Sequence, residues 1–549
     1  MKYSAEGEII DVGGKKMAIP HEVLAEGWIP FTVVVVMTII FSWFYIRYYQ
    51  DSSLSEVSST ITAIVALTIA LLTSALVPVD IFLVSYLKKS DGTWKEWGSS
   101  SASRNDLEDA VSTTYYVLYG LLAFLIFVLM PFMYFFFEEK DEDVTTRERV
   151  CNATKYTIGF FIVACVLLMV GAFAPLKQPP KNITQWDQKL LFLKDELSAN
   201  KGETALSLLI GFLSLIGLLI MISYTAYGMT ALPFAMLKGF KSAKREQEAV
   251  SRRIQDNRER TRMIQAKYKD GRSMNRRDRR QLSQLEDEEH LLTRQDRRLE
   301  SAQLGWLNKC LKCCRPFEVV FGVFYLLFSL LLFVSLLLTC IDKAIHSEGY
   351  KYGYVLPKAH LPNPINIIMV YAQQVFPLDY CLFVAIVLYF IYASMAGVKR
   401  AGIRCCWIKL FKIRPRHTLP QALLMMCVML MLIVLSLNIM LFTLAPQYVM
   451  YGSQHYMSNS TVNNATTITT NVCSTEVSSD DCLMTRISVF LHRFFYKVWF
   501  FGACYYWGTW LFLLAFLIGL VVSVVKKRKT VVEEYLSDSD SDDDEMAQA

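Results

Sequence analysis

The stretch from Ala422 to Ala445, ALLMMCVMLMLIVLSLNIMLFTLA, contains no Asp, Glu, Lys or Arg. As an α-helix it would be about 36 Å long, enough to cross a hydrocarbon core of about 30 Å. Hydrocarbon offers no partner to backbone N–H and C=O groups, so such a segment must satisfy them internally, as a helix does. Working outward from it, comparable stretches recur at 28–48, 61–87, 115–137, 156–176, 205–227, 319–341, 378–396 and 496–525, nine in all with the first. The composition agrees: 53% of the 549 residues are hydrophobic and 19% charged, against roughly 45–50% and about 25% in soluble proteins. The expected fold class is all-α, a polytopic membrane protein with about nine transmembrane helices and a cytosolic helical hairpin.

Nine crossings place the termini on opposite sides, and the distribution of Lys and Arg orients them. Loops 50–56, 138–155, 238–315, 397–419 and the tail from 526 hold about 37 Lys and Arg in about 150 residues. The other loops hold about 17 in about 160. The basic set is read as cytosolic, so the N-terminus is lumenal and the C-terminus cytosolic. The sequons at Asn182, Asn459 and Asn464 fall on the lumenal side and are the expected glycosylation sites, whereas Asn152 falls in the cytosol. Five regions follow: a lumenal N-terminal segment, 1–27, too long with its apolar stretch to be a signal peptide; helices 1–5 with short loops, 28–237; a basic cytosolic hairpin, 238–315; helices 6–9, 316–525, with a glycosylated lumenal loop at 446–493; and an acidic tail, 526–549.

Most of the 13 cysteines lie in apolar helices or cytosolic segments. Cys473 and Cys482 share the lumenal loop, where an oxidising compartment favours a disulfide over two free thiols. The hairpin reads as helices over 243–267 and 274–304 around the turn Lys269-Asp270-Gly271-Arg272-Ser273. Leu285, Leu292 and Leu299 recur every seven residues as a thin apolar seam. Basic runs such as Arg276-Arg277-Asp278-Arg279-Arg280 fit anionic membrane lipid or an acidic partner, or simply a solvated helix face; tethering between membrane helices argues against nucleic acid. Within the second helix, Asp287 with Leu291 and Leu292 matches an acidic dileucine sorting signal of the kind a clathrin adaptor reads, unless Leu292 serves only the seam. Cys310, Cys313 and Cys314, just before the sixth helix, suit juxtamembrane palmitoylation or remain free thiols, and Cys405-Cys406 invites the same pair of readings. In the tail, Ser537, Ser539 and Ser541 each precede an acid, a pattern for acidophilic phosphorylation in a segment too charged to fold.

No P-loop, His-Glu-x-x-His, Gly-x-Ser-x-Gly elbow or zinc-spaced His/Cys array occurs, so no metal or catalytic constellation is expected and the chain reads as a non-enzyme. Ionisable residues in apolar helices are the remaining functional candidates. Asp80, two residues after Pro78, and Asp379, two after Pro377, form the candidate intramembrane polar site; hydration at the interface is the plainer reading of both.

Several blocks carry a resemblance: Thr73-Ser74-Ala75-Leu76-Val77-Pro78-Val79-Asp80, Tyr224-Thr225-Ala226-Tyr227-Gly228-Met229, Val375-Phe376-Pro377-Leu378-Asp379-Tyr380 and Ala445-Pro446-Gln447-Tyr448-Val449-Met450-Tyr451-Gly452. Through them the chain resembles the limb-region protein and lipocalin-interacting membrane receptor family from about residue 28 to the acidic tail. The resemblance implies a nine-span lysosomal glycoprotein with a lumenal N-terminus, with pools in the endoplasmic reticulum and at the plasma membrane. It implies an escort that carries a lysosomal ATP-binding-cassette transporter out of the endoplasmic reticulum and so supports movement of cobalamin, vitamin B12, into the cytosol. A cytosolic cobalamin-trafficking protein would be a further partner, clathrin-mediated endocytosis a second role, and a homodimer the assembly to look for. Cobalamin would be the transported ligand and not a resident cofactor, since the Asp-x-His-x-x-Gly pattern of base-off B12 proteins is absent. The rivals are a chain that itself forms the cobalamin path and an endocytic receptor or adaptor.

The topology has a direct test. Digestion with peptide-N-glycosidase should shift the chain on a gel by up to three glycans, reduced stepwise by Asn182→Gln, Asn459→Gln and Asn464→Gln and unchanged by Asn152→Gln; a glycan at Asn152 would invert the assignment.

Overall fold

The computed structural model describes residues 9–12, 15–18, 21–51, 56–89, 91–95, 101–139, 145–173, 201–238, 243–268, 275–304, 306–347, 349–350, 353–354, 356, 360–372, 375, 378–405, 408–411, 413, 418–462, 465–473, 477, 481–497 and 499–525. Among these residues nine helices are long and apolar enough to cross a membrane, and each overlaps one of the nine stretches read from the sequence. The helices are α1 (His21–Tyr49), α2 (Val57–Tyr86), α3 (Ser101–Phe124), α4 (Met130–Glu138), α5 (Thr146–Phe173), α6 (Lys201–Ile220), α7 (Ala226–Lys238), α8 (Ala243–Ala266), α9 (Arg276–Leu304), α10 (Trp306–His346), α11 (Pro364–Ala372), α12 (Leu378–Ala401), α13 (Pro420–Leu444), α14 (Pro446–Tyr451), α15 (Arg486–Lys497) and α16 (Trp499–Val525). Five-residue π turns, Leu125–Leu129 and Met221–Thr225, join α3 to α4 and α6 to α7 within single spans. Three antiparallel hairpins complete the described chain: β1 (Ile9–Val12) with β2 (Lys15–Ala18), β3 (Ile403–Cys405) with β4 (Ile408–Phe411), and β5 (His455–Val462) with β6 (Ala465–Val472).

Several boundaries differ from the sequence reading. The N-terminal segment, to which the sequence reading assigned no elements, carries β1 and β2, and α1 begins at His21, ahead of the apolar run. The third span begins at Ser101, because the polar residues before Tyr115 continue the same helix. The described residues of 446–493 form α14, β5, β6 and most of α15. In place of a break near residue 316, α10 is continuous for 41 residues, and Pro316 is accommodated inside it.

Two compact units make up the chain: residues 1–229 with 329–519, and residues 230–328 with the segment from 520 onward. At the centre of the first lies α13, whose residues are buried almost without exception, as a helix that is apolar all round requires. Helices α2, α4, α6 and α12 pack against it. Because lipid tails are as apolar as leucine, close approach between such helices rests on small residues and interhelical hydrogen bonds. Both are present where α12 meets the fifth span. A Cβ on Gly228 would sit 1.7 Å from the Ala393 carbonyl oxygen, and one on Gly397 would sit 2.1 Å from that of Tyr224. Between these glycines the buried hydroxyls of Thr225 and Ser394 are 2.7 Å apart. A third glycine, Gly217, gives α6 the same proximity to Leu432 of α13.

The second unit contains the predicted hairpin, as α8 and α9 packed along one another. Its seam is formed by Val250 and Ile254 against Leu285 and Leu292, all buried. Buried Asn257 donates to the Leu285 carbonyl at 2.9 Å, a polar contact of the kind that fixes register between paired helices. Near the turn, the Tyr268 hydroxyl and the Lys267 ammonium both bond to Asp278 and hold its carboxyl below the usual carboxylate range. The turn residues 269–274 lie outside the described residues.

Outward faces are strongly apolar. Phe160, Phe161, Val163 and Val166 of α5, Val33, Met37 and Phe44 of α1, and Trp507, Leu511, Leu514 and Ile518 of α16 are exposed. Surfaces of this kind are stable against lipid or against another transmembrane helix.

The small-residue contact is testable. Gly228→Leu and Gly397→Leu should each destabilise the detergent-solubilised protein by about 1–3 kcal/mol or more, through overpacking against backbone that cannot yield. Gly159→Leu, where an added side chain meets open space, should leave the melting temperature unchanged; equal losses in all three would remove the argument.

Candidate functional site

Beyond Leu444 the chain turns from a fully apolar helix into a dense polar cluster, and the sequence explains the change. Proline disfavours α geometry in the residue before it, so Ala445 is held at φ −137° and ψ 68° and α13 stops. Pro446 then occupies the first turn of α14, where its missing N–H costs nothing. Gly452 ends α14 at φ +58°, a conformation suited to glycine. A six-residue helix cannot satisfy its own terminal groups, and the side chains of Asn366, Thr485 and Gln454 supply part of what it lacks.

Asn366 of α11 accepts from the Tyr448 backbone N–H at 2.9 Å and donates to the Gln447 side chain at 3.2 Å. Asn363, at the N-cap of α11, accepts from the Asn366 N–H at 3.3 Å. Its amide donates to the Leu444 carbonyl at 2.7 Å and to the Thr339 hydroxyl of α10 at 2.8 Å, and its side-chain oxygen accepts from Ser335. One asparagine thereby joins the ends of α10, α11 and α13. On the other side of α14, Thr485 donates through its hydroxyl to Val449 O at 2.6 Å and through its N–H to Met450 O at 2.9 Å. Thr485 also caps α15 by accepting from the Ser488 N–H at 3.3 Å. Gln454 donates to the Tyr451 and Leu483 carbonyls at 3.0 and 2.8 Å and accepts from the Leu483 N–H at 3.2 Å. Each such bond contributes about 0.5–1.5 kcal/mol net, but a buried partner left unmatched costs about 1–3 kcal/mol, so the cluster is cooperative in its failure.

Both aspartates singled out from the sequence belong to this cluster, and both are 1% exposed. Asp80 accepts from the Ile487 N–H at 2.8 Å, placing a carboxylate at the N-terminus of α15 where the helix dipole favours it. Asp379 accepts from the Tyr448 hydroxyl at 3.2 Å. The two carboxylates bond to different elements, α15 and α14, which pack on one another. Asn363, Asn366, Gln454 and Thr485 were not among the sequence candidates. The signals that could have found them are the Asn363-Pro364 and Ala445-Pro446 pairs, which mark a helix start and a helix break.

The remaining candidates are dispersed. Cys473 and Cys482 form a disulfide with Cα atoms 5.9 Å apart. Beside it, Lys88 donates to the His455 carbonyl at 3.2 Å and to that of Asp481; burial pushes its ammonium pKa down. Arg486 forms an ion pair with Glu108. Asn459 lies on β5, opposite Ile468 in register, and Asn152 lies on α5, where it donates to Glu139 at 3.2 Å. Leu291 is 56% exposed whereas Leu292 is buried in the hairpin seam. The backbones of Asp287, Cys310, Cys313 and Cys314 are helical, while Asn182, Asn464, Cys406, Ser537, Ser539 and Ser541 lie outside the described residues. A narrow cleft between α3, α6, α13 and α15 is lined mainly by apolar side chains, among them Ile210, Leu435 and Phe490, with Tyr119, Ser207, Ser214 and Asn438 as its polar members.

Comparison with known proteins assigns this architecture. The model of the LMBR1-like membrane protein family matches residues 27–318. A protein of Nematostella vectensis named probable lysosomal cobalamin transporter is 71% identical over 97% of this chain and all of its own length. The lysosomal cobalamin transport escort protein LMBD1 of Gallus gallus is 46% identical over 97% of this chain and 99% of its own, and that of Danio rerio is 46% identical over 96% and 99%. No solved structure is significantly similar. A match across half the chain by the family model, and across nearly all of it by these relatives, settles the kinship: the chain belongs to the LMBR1-like family of membrane proteins.

Proposed function

We propose that this chain is a lysosomal membrane escort protein: it binds an ATP-binding-cassette transporter in the endoplasmic reticulum, delivers it to lysosomes and so supports export of cobalamin to the cytosol. The observation that carries the reading is full-length similarity to proteins named as cobalamin transport escorts. The buried polar side chains are consistent with it. Asp80, Asn363, Asn366 and Thr485 bond to backbone groups at or near helix ends and Asp379 to the Tyr448 hydroxyl, a structural use of groups that a conducting path would leave facing solvent. The exposed apolar faces of α1, α5 and α16 provide surface on which a transporter's helices can pack. In this reading the polar cluster, β5, β6 and the disulfide are lumenal, and α8 and α9 face the cytosol, where a cobalamin-trafficking protein or anionic lipid meets the basic helices.

The second reading, that the chain itself conducts cobalamin, is favoured by the name of the Nematostella vectensis relative. Reconstitution separates the two. The purified chain alone in liposomes should give no cobalamin flux above empty vesicles, and flux should appear only with the transporter and ATP. Flux by the chain alone, abolished by Asp80→Asn with Asp379→Asn, would overturn the escort assignment.

A third reading, as an endocytic adaptor, depends on Leu291 and Leu292, and their different burial allows sorting to be separated from folding. Leu292→Ala should destabilise the α8–α9 hairpin by about 2–5 kcal/mol, the range for truncating a packed leucine. Leu291→Ala should leave hairpin stability unchanged. Unaltered surface uptake and lysosomal delivery in Leu291→Ala would remove the basis for a dileucine signal.

A further inference from the structure

Outside the polar cluster, the residue-350 end of α10 brings together three side chains from two segments. Asp342 and His346 occupy successive turns of the helix, and His360 comes from the chain that returns toward α11. Asp342 is 2% exposed. One of its oxygens, Oδ2, accepts from the backbone N–H groups of His360 at 2.9 Å and Leu361 at 3.4 Å. That fixes the carboxylate and turns Oδ1 toward the imidazoles, with His346 Nδ1 2.8 Å away and His360 Nδ1 4.0 Å away. The two rings are stacked, centroids 4.2 Å apart and planes 23° from parallel, so sharing an ion requires the half-exposed His360 ring to turn about its side-chain torsions.

An Asp–His pair four residues apart is an ordinary helix-surface contact. The addition here is His360, which brings a second imidazole to the same carboxylate oxygen so that the three donor atoms all lie within 4.8 Å of one another. Metal–ligand bonds of about 2.0–2.2 Å place ligand atoms roughly 3 Å apart when adjacent and up to about 4.2 Å apart when nearly opposite. The distances to Oδ1 fall in that range. A backbone-held carboxylate oxygen is also the outer-shell device that orients metal ligands. The His346 and His360 side chains are 36% and 49% exposed, leaving coordination positions open to water or a further ligand. The neighbouring cation, Lys343, projects about 100° around the helix from Asp342.

We infer that Asp342, His346 and His360 form a binding site for a divalent transition-metal ion, two imidazole nitrogens and one carboxylate oxygen providing a donor set that suits Zn²⁺, Co²⁺ or Ni²⁺ and not the oxygen-seeking Ca²⁺ or Mg²⁺. The site is independent of the escort assignment, and in the topology above it faces the lumen.

The test uses the full chain, purified through a tag without histidines, stripped with EDTA and titrated with Zn²⁺ by calorimetry at neutral pH. The expected result is a binding component of one ion per chain, at least about tenfold weaker in His346→Ala and in His360→Ala, lost in the double variant and unchanged in His290→Ala. Free thiols are present in every variant, so the difference between variants isolates this site. Melting curves without metal separate loss of the ligand from loss of the fold; should His346→Ala fold poorly, His360→Ala, which truncates a half-exposed ring, carries the comparison. Co²⁺ provides a second readout, since visible bands of nitrogen and oxygen coordination should appear in the wild type and vanish in the double variant. Zn²⁺ isotherms that coincide for wild type and double variant would overturn the assignment and leave a plain carboxylate–histidine pair.

Discussion

A helix that ends inside a membrane protein has nowhere to put its last carbonyls and the next helix has nowhere to put its first N–H groups, because the surrounding hydrocarbon cannot hydrogen-bond. The break at Ala445-Pro446 creates this problem at the end of α13, the most deeply buried of the membrane-spanning helices among the described residues. Asn363 and Asn366 address it from one side and Thr485 from the other, with Asp80 and Asp379 held against the same group of elements. The folding of the 446–493 region, including α15, therefore depends on polar side chains delivered by α2, α10, α11 and α12. Formation of this end of the molecule is a tertiary event and not a local one.

That dependence explains which features could be read from the sequence. Spans such as 422–445 were legible because length and lack of charge are local properties that lipid selects directly. The limits of α8 and α9 were legible to within one or two residues because the seven-residue recurrence of Leu285 and Leu292 and the Asp270-Gly271 pair are likewise local. The roles of Asp80 and Asp379 were only half legible. An acid two residues beyond a proline in an apolar run announces itself, but whether it lines a path or caps a helix depends on Ile487 and Tyr448, about 400 and 70 residues away in the chain. Asn363 and Asn366 gave no signal beyond the adjacent proline. Their importance comes entirely from which carbonyls and N–H groups they meet.

Leu291 and Leu292 show the same principle outside the membrane. As a string of letters the two leucines are equivalent members of an acidic dileucine pattern; on α9 one is solvent-facing and the other belongs to the seam. A helix separates neighbouring side chains by about 100°, so two adjacent residues cannot both point into a narrow two-helix seam. Sequence patterns that presuppose an extended chain lose half of their meaning when they fall on a packed helix.

The π turns at Leu125–Leu129 and Met221–Thr225 bear on how insertions and deletions act in this protein. A π turn contains one residue more than the α-helical turn it replaces, so the two halves of the fifth span are out of phase by about 100°. That offset lets α6 present Gly217 to Leu432 while, beyond the turn, Gly228 is presented to Ala393. Removing one residue from Met221–Thr225 would leave a longer and more regular helix, with every segment still hydrophobic and still able to span. It would also turn one of those glycines away from its neighbour and put a side chain in its place. In this chain the length of a span, counted to the single residue, carries as much information as its hydrophobicity.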